Sequence, residues 1–96
     1  MKKLKTILDK KMQDPEFSEA FNEYEREFQI AQKIIKLRKK SGMTQTELAR
    51  KAHTSQSAIA RLEAGEHKNI TLSFLNKVCQ ALGTIPEIRF KELKSL

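Results

Sequence analysis

Residues 44–65 read Thr-Gln-Thr-Glu-Leu-Ala-Arg-Lys-Ala-His-Thr-Ser-Gln-Ser-Ala-Ile-Ala-Arg-Leu-Glu-Ala-Gly, and no other stretch constrains the fold as tightly. Thr44 is a good N-cap, and Glu47 three residues on completes a capping box. Leu48 and Ala52 stand at i and i+4, so they share one face of the helix that follows. Ala49 is small where two helices must cross closely. A three-residue turn over 53–55 comes next, and Ser55, or Thr54 before it, caps a second helix. Ile59 and Leu62 point inward at i and i+3, and Gly65 ends the helix as a residue tolerant of positive φ. The spacing predicts two short helices, over 44–52 and 55–64, meeting at a sharp turn.

The outward face of the second helix carries Gln56, Ser57, Ala60 and Arg61 near its N-terminal end. Gln can bond an adenine edge in two places, and Arg can do the same for guanine. Ser is short enough to let a backbone approach the groove, and Ala60 suits contact with a thymine methyl. A solvated face on an ordinary helical hairpin would explain these four residues equally well. The helix spacing, the turn and the net charge of +7 together favour a helix laid in the DNA major groove.

The motif Thr-Gln-x-Glu-Leu-Ala … Ser-Gln-x-x-Ile-x-Arg-Leu-Glu-x-Gly resembles the lambda-repressor-like, or XRE-type, helix-turn-helix domains over about residues 29–83. The resemblance implies that Gln56, Ser57 and Arg61 reach base edges and that Gln45 and Lys68 hold phosphates. Thr44, Ser55 and Asn69 complete the expected phosphate-contacting set. His53 stands where the family usually has Gly; if its φ is positive, His carries a strain that Gly would not. The resemblance also implies a structural ion pair between Arg38 and Glu63, bracing the reading helix, against the alternative of two unrelated surface charges.

Ninety-six residues allow one domain with a modest core. Three Gly, two Pro and an abundance of Leu, Ile, Ala, Lys and Glu argue for an all-α chain. Cys79 is single, so no intramolecular disulfide forms, and it fits a helix core as an inert thiol. No apolar run approaches the ~18 residues of a membrane span and no signal peptide is visible, so a cytoplasmic location away from membranes is expected. His53 and His67 lack Cys or carboxylate partners at ligand spacing, and no Ser-His-Asp or Cys-His arrangement is present. The expectation is no metal, no cofactor and no enzyme activity.

Charge divides the chain. Residues 1–13 carry +4, residues 14–28 carry −5, and residues 29–96 carry +8. A basic body suits DNA phosphates, whereas the acidic segment calls for another job. Leu4, Ile7, Leu8 and Met12 suggest a short basic helix over 3–12. Asp14-Pro15-Glu16 is a strong helix start, and the helix runs to about Ser41, either unbroken or joined from two near 28–32. Thr71 caps a last helix to about Leu82, and Gly83 stops it. Residues 85–91 then alternate apolar and charged side chains and read as a short C-terminal strand, with a disordered tail as the alternative. Pro86 confines such a strand to a start or an edge. A lone strand needs another edge, so Ile85, Ile88 and Phe90 are expected to pair across the two-fold axis of a homodimer.

Phe17, Phe21, Tyr24 and Phe28 form one helical stripe that holds four of the six aromatics. For any one of them core packing is the simpler reading, but four are many for so small a core. With Glu16, Glu19, Glu23 and Glu27 around them, they make a surface suited to a basic protein. The order Asp-Pro-Glu-Phe, acidic Tyr-containing helix, repressor-like motif and Ala-Leu-Gly … Ile-x-Phe end resembles HigA-type antitoxins over about residues 14–91. That resemblance implies a HigB-like toxin partner of the RelE superfamily, an mRNA-cleaving ribonuclease, and repression of the pair's own operon through double-stranded operator DNA. The expected architecture is a five-helix lambda-repressor-like domain over 29–83, an N-terminal helical extension over 1–28 for partner binding, and a dimerising strand and tail over 84–96. A stand-alone phage- or plasmid-type repressor, and a protein-interaction module without DNA binding, are the rival readings.

Overall fold

The computed structural model describes Ile7 and residues 9–92. Ile7 and residues 9–11 are helical; the rest of the expected helix over 3–12, up to residue 8, lies outside the described residues, as does the tail beyond residue 92. Four helices then follow: α1 (Pro15–Lys40), α2 (Gln45–Lys51), α3 (Gln56–Glu63) and α4 (Leu72–Ala81).

Each helix starts on the cap its sequence offers. The Asp14 side chain accepts from the Glu16 N–H at 3.0 Å, with Pro15 at the first helical position. Thr44 and Glu47 close a reciprocal capping box, with N–H donors at 3.0 and 3.1 Å. Ser55 accepts from the Ala58 N–H and Thr71 from the Phe74 N–H. Such caps satisfy donors that the helix itself cannot.

Each helix also ends alike. The two N–H groups beyond the last turn reach back five and three residues, as in Thr54 to the Ala49 carbonyl (2.9 Å) and His53 to Arg50 (3.2 Å). This Schellman closure requires a left-handed residue just past the helix. Gly65 fills that position after α3, at φ 72°, and His53 fills it after α2, at φ 58°.

With no Gly or Pro inside it, α1 is one unbroken helix of 26 residues. That resolves the choice between one helix and two, and it carries the chain across residue 28 without a boundary. Its C-terminal half enters the core through Ile34, with Ile30 and Leu37 packed alongside. Leu48, Ile59, Leu62 and Val78 are essentially inaccessible and hold α2, α3 and α4 together. Cys79 is a buried free thiol among them. Small Ala49 and Ala52 lie in the same cluster and let α2 and α3 approach closely.

The expected C-terminal strand is not seen: residues 84–92 carry no strand. Thr84 is the last anchored residue, its N–H and Oγ1 both donating to the Cys79 carbonyl. Beyond it Ile85 and Phe90 are 86 and 95% exposed. A strand exists only as one rail of a ladder, and the described helices offer no second rail.

Candidate nucleic-acid interface

The helical repeat divides α3 cleanly. Ala58, Ile59, Leu62 and Glu63 turn inward, while Gln56, Ser57 and Arg61 are exposed and Ala60 is half-buried at the margin. The four base-edge candidates therefore share one outward face. The N-terminal ends of α2 and α3 and the loop after α3 supply the phosphate candidates. Thr44, Ser55, Lys68 and Asn69 are exposed, and Gln45 is half-buried. Ser55 and Ser57 hydroxyls stand 3.3 Å apart at the first turn of α3.

His67 had no role in the sequence reading. It stacks on Phe74 of α4 with ring centroids 4.7 Å apart, which tethers the loop that carries Lys68 and Asn69. Asn69 itself adopts φ 56°, a conformation Asn tolerates better than most residues.

Arg38 and Glu63 meet as a fork. Arg38 Nε donates to Glu63 Oε2 at 2.6 Å and Nη2 donates to Oε1 at 2.9 Å. The remaining Nη1 donates to the Met43 carbonyl at 2.8 Å, in the turn between α1 and α2. Their side chains are 14 and 5% exposed. The hydrogen bond that Arg38 donates to Glu63 raises the Arg38 pKa above its ordinary value, against the opposing effect of burial. The pair thus ties α1, the α1–α2 turn and the end of α3 into one frame.

Gln45 links the fork to the outward face of α3. Its Nε2 donates to Glu63 Oε1 at 3.1 Å, and its Oε1 accepts from Gln56 Nε2 at 2.8 Å. A continuous polar chain therefore runs from Arg38 through Glu63 and Gln45 to Gln56, the first residue of the outward face. Sequence reasoning placed all four residues at the site but not this connection. The available signal was that Gln45 and Gln56 each open a helix of the same hairpin.

The N-terminal stripe is organised in pairs. Phe17 and Phe21 stack with centroids 6.1 Å apart, and Tyr24 and Phe28 at 6.5 Å. Lys11 Nζ sits 5.6 Å from the Phe17 ring centroid. Tyr24 and Phe28 are 62 and 50% exposed, and none of the four belongs to the core cluster. Glu16, Glu19 and Glu23 are exposed beside them and Glu27 is half-buried. Among the described residues no group of three or more His, Cys, Asp or Glu side chains could hold a metal ion. None of the described helices is long and apolar enough to cross a membrane.

Two capped helices crossing at a tight turn, the second showing a polar face braced from behind, define a helix-turn-helix DNA-binding domain. The family model described as Helix-turn-helix matches residues 34–88, more than half of the chain. The chain belongs to that family, in its lambda-repressor-like, XRE-type form, and carries the DNA-binding domain of a transcription regulator. No curated protein and no solved structure matches it.

Proposed function

We propose that this protein is an antitoxin that represses its own operon. In this reading α3 lies in the major groove of a palindromic operator, with Gln56, Ser57, Ala60 and Arg61 on base edges. Thr44, Gln45, Ser55, Lys68 and Asn69 hold the flanking phosphates. The observation that carries the DNA-reading half is the exposed polar face of α3 set on a frame fixed by Arg38 and Glu63. Phosphate contacts position the domain and base contacts specify the site.

The partner-binding half rests on α1. Its stacked aromatics stand outside the core on a segment of charge −5 within a basic chain. A basic, HigB-like ribonuclease fits that surface. The aromatics supply burial, about 1.5–3 kcal/mol for each side chain fully removed from water. The carboxylates of Glu16, Glu19, Glu23 and Glu27 speed the encounter and match the toxin's RNA-binding charge. The apolar tail, Ile85, Ile88 and Phe90, pairs with its copy in a two-fold dimer. Two copies of α3 then sit about 34 Å apart, or a multiple of that, on the operator.

One experiment tests both halves. Full-length protein is compared with a variant bearing Ala at Phe17, Phe21 and Tyr24, in operator footprinting and in rescue of cells expressing the product of the adjacent gene. Both proteins should footprint the promoter, and only the unmodified one should rescue growth. Rescue by the variant would place the toxin contacts elsewhere. Absence of any promoter footprint would remove the repressor role.

A further inference from the structure

We infer that the seam Phe17, Phe21, Tyr24, Phe28 and Ile35 of α1 pairs with the same seam of a second copy, the two helices running antiparallel across a two-fold axis at Phe28. The inference goes beyond the reading above and stands without it. A toxin and a second copy on this seam exclude each other.

The seam has the period of a helix pair. Its members follow one another at steps of four, three, four and seven residues. That is the repeat by which one helix lies along another. Ile30 and Leu37, which pack on the domain's own core, lie on the opposite side of α1. The seam is therefore spare, with Tyr24 and Phe28 62 and 50% exposed. An open groove beside Phe28 is lined by Gln29, Gln32, Lys33, Ile35 and Lys36.

Charge chooses the occupant. Over residues 15–28, five Glu against Arg26 leave −4. Residues 29–40 hold no acid, and with Arg38 committed to Glu63 the four Lys leave +4. An acidic half is thus joined to a basic half of equal charge. A parallel copy would set like against like. An antiparallel copy lays each acidic half on a basic half, twice about one axis. The midpoint of α1 (Pro15–Lys40) falls between residues 27 and 28, so an axis at Phe28 overlaps the two helices along their whole length. In that register Phe21 of each copy meets Ile35 of the other and enters the groove, and Glu25 lies beside Lys33. The seam already takes a cation on an aromatic face: Lys11 Nζ sits 5.6 Å from the Phe17 ring centroid. The charges are exposed and screened by salt, so the contact is weak in dilute solution and forms where copies are concentrated.

Disulfide trapping in the full-length protein tests the pairing without DNA or toxin. Cys79→Ala removes the natural thiol, and one new cysteine is added to each variant. A disulfide needs Cα atoms within about 7 Å, so only residues that meet across the pair should link. Phe28→Cys should form linked pairs several-fold faster than Glu19→Cys, which lies on the far side of α1. Phe21→Cys mixed with Ile35→Cys should link several-fold faster than either alone. Circular dichroism checks that each variant is folded. Glu25→Lys and Lys33→Glu should each slow linking through Phe28→Cys, and mixing the two should restore it, because each supplies the charge the other lost. Linking at position 28 no faster than at position 19 would overturn the inference. So would linking of Phe21→Cys alone and Ile35→Cys alone with no gain on mixing, the pattern of a parallel pair.

Discussion

Removing one partner of the Arg38–Glu63 fork should be costly, and the two directions should not cost the same. Arg38→Met withdraws both bonds to Glu63 and the bond to the Met43 carbonyl. It leaves a carboxylate 5% exposed with only the Gln45 amide as partner. Breaking a buried pair from one side costs about 3–5 kcal/mol, and some solvent access on the Arg38 side places this case near 3 kcal/mol. For a domain of this size that corresponds to a fall in Tm of about 12–24 °C. Glu63→Leu should cost less, about 2 kcal/mol, because Arg38 keeps the Met43 carbonyl and reaches water. The double variant should recover to within about 1 kcal/mol of wild type, since no unpaired charge remains inside. Urea unfolding followed by circular dichroism at neutral pH gives the whole cycle. A coupling energy below about 0.5 kcal/mol, or a larger cost for Glu63→Leu than for Arg38→Met, would refute the reasoning.

Other expected outcomes follow from single residues. Arg61→Ala should cost about 1–3 kcal/mol at one base pair and relax specificity there, whereas Lys68→Ala should weaken all sequences alike and lower the salt slope by about one unit; gel shifts at several salt concentrations separate the two. His53 holds φ 58°, so His53→Gly should stabilise the domain by about 0.5–1 kcal/mol, the relief of left-handed strain less the added freedom of the unfolded chain, and an unfolding curve shows the sign. The backbone N–H of Thr44, then its hydroxyl, lowers the Glu47 pKa, so the capping box contributes fully above the ordinary carboxylate range and fades as pH falls through the lowered value; Glu47→Gln should flatten that part of the acid-unfolding profile. If the proposed dimer forms through the tail, deleting residues 84–96 should leave a monomer in light scattering and weaken operator binding; a truncated protein that stays dimeric would move the interface elsewhere.

What the sequence determined by itself was local. Asp14, Thr44, Ser55 and Thr71 each sit one residue before a helix because a side-chain oxygen there reaches an N–H two or three residues on, a geometry contained within one turn. The inward set Leu48, Ala52, Ile59 and Leu62 was readable from period alone, and so was the outward set on α3. The alternation of residues 85–91 was readable too, yet no strand formed, because pairing is a property of two edges and alternation of only one. Whether the α1 aromatics belong to the core was likewise open. Leu48, Ile59, Leu62 and Val78 fill the interior, and the aromatics stand beyond the point where α1 enters it. The chain from Arg38 to Gln56 was decided only by the tertiary structure. Its members are 25, 18 and 11 residues apart along the sequence and share no helix turn. They meet because the close crossing of α2 and α3 over small alanines brings two amides and a carboxylate within hydrogen-bond reach, and once there their donors and acceptors leave a single arrangement.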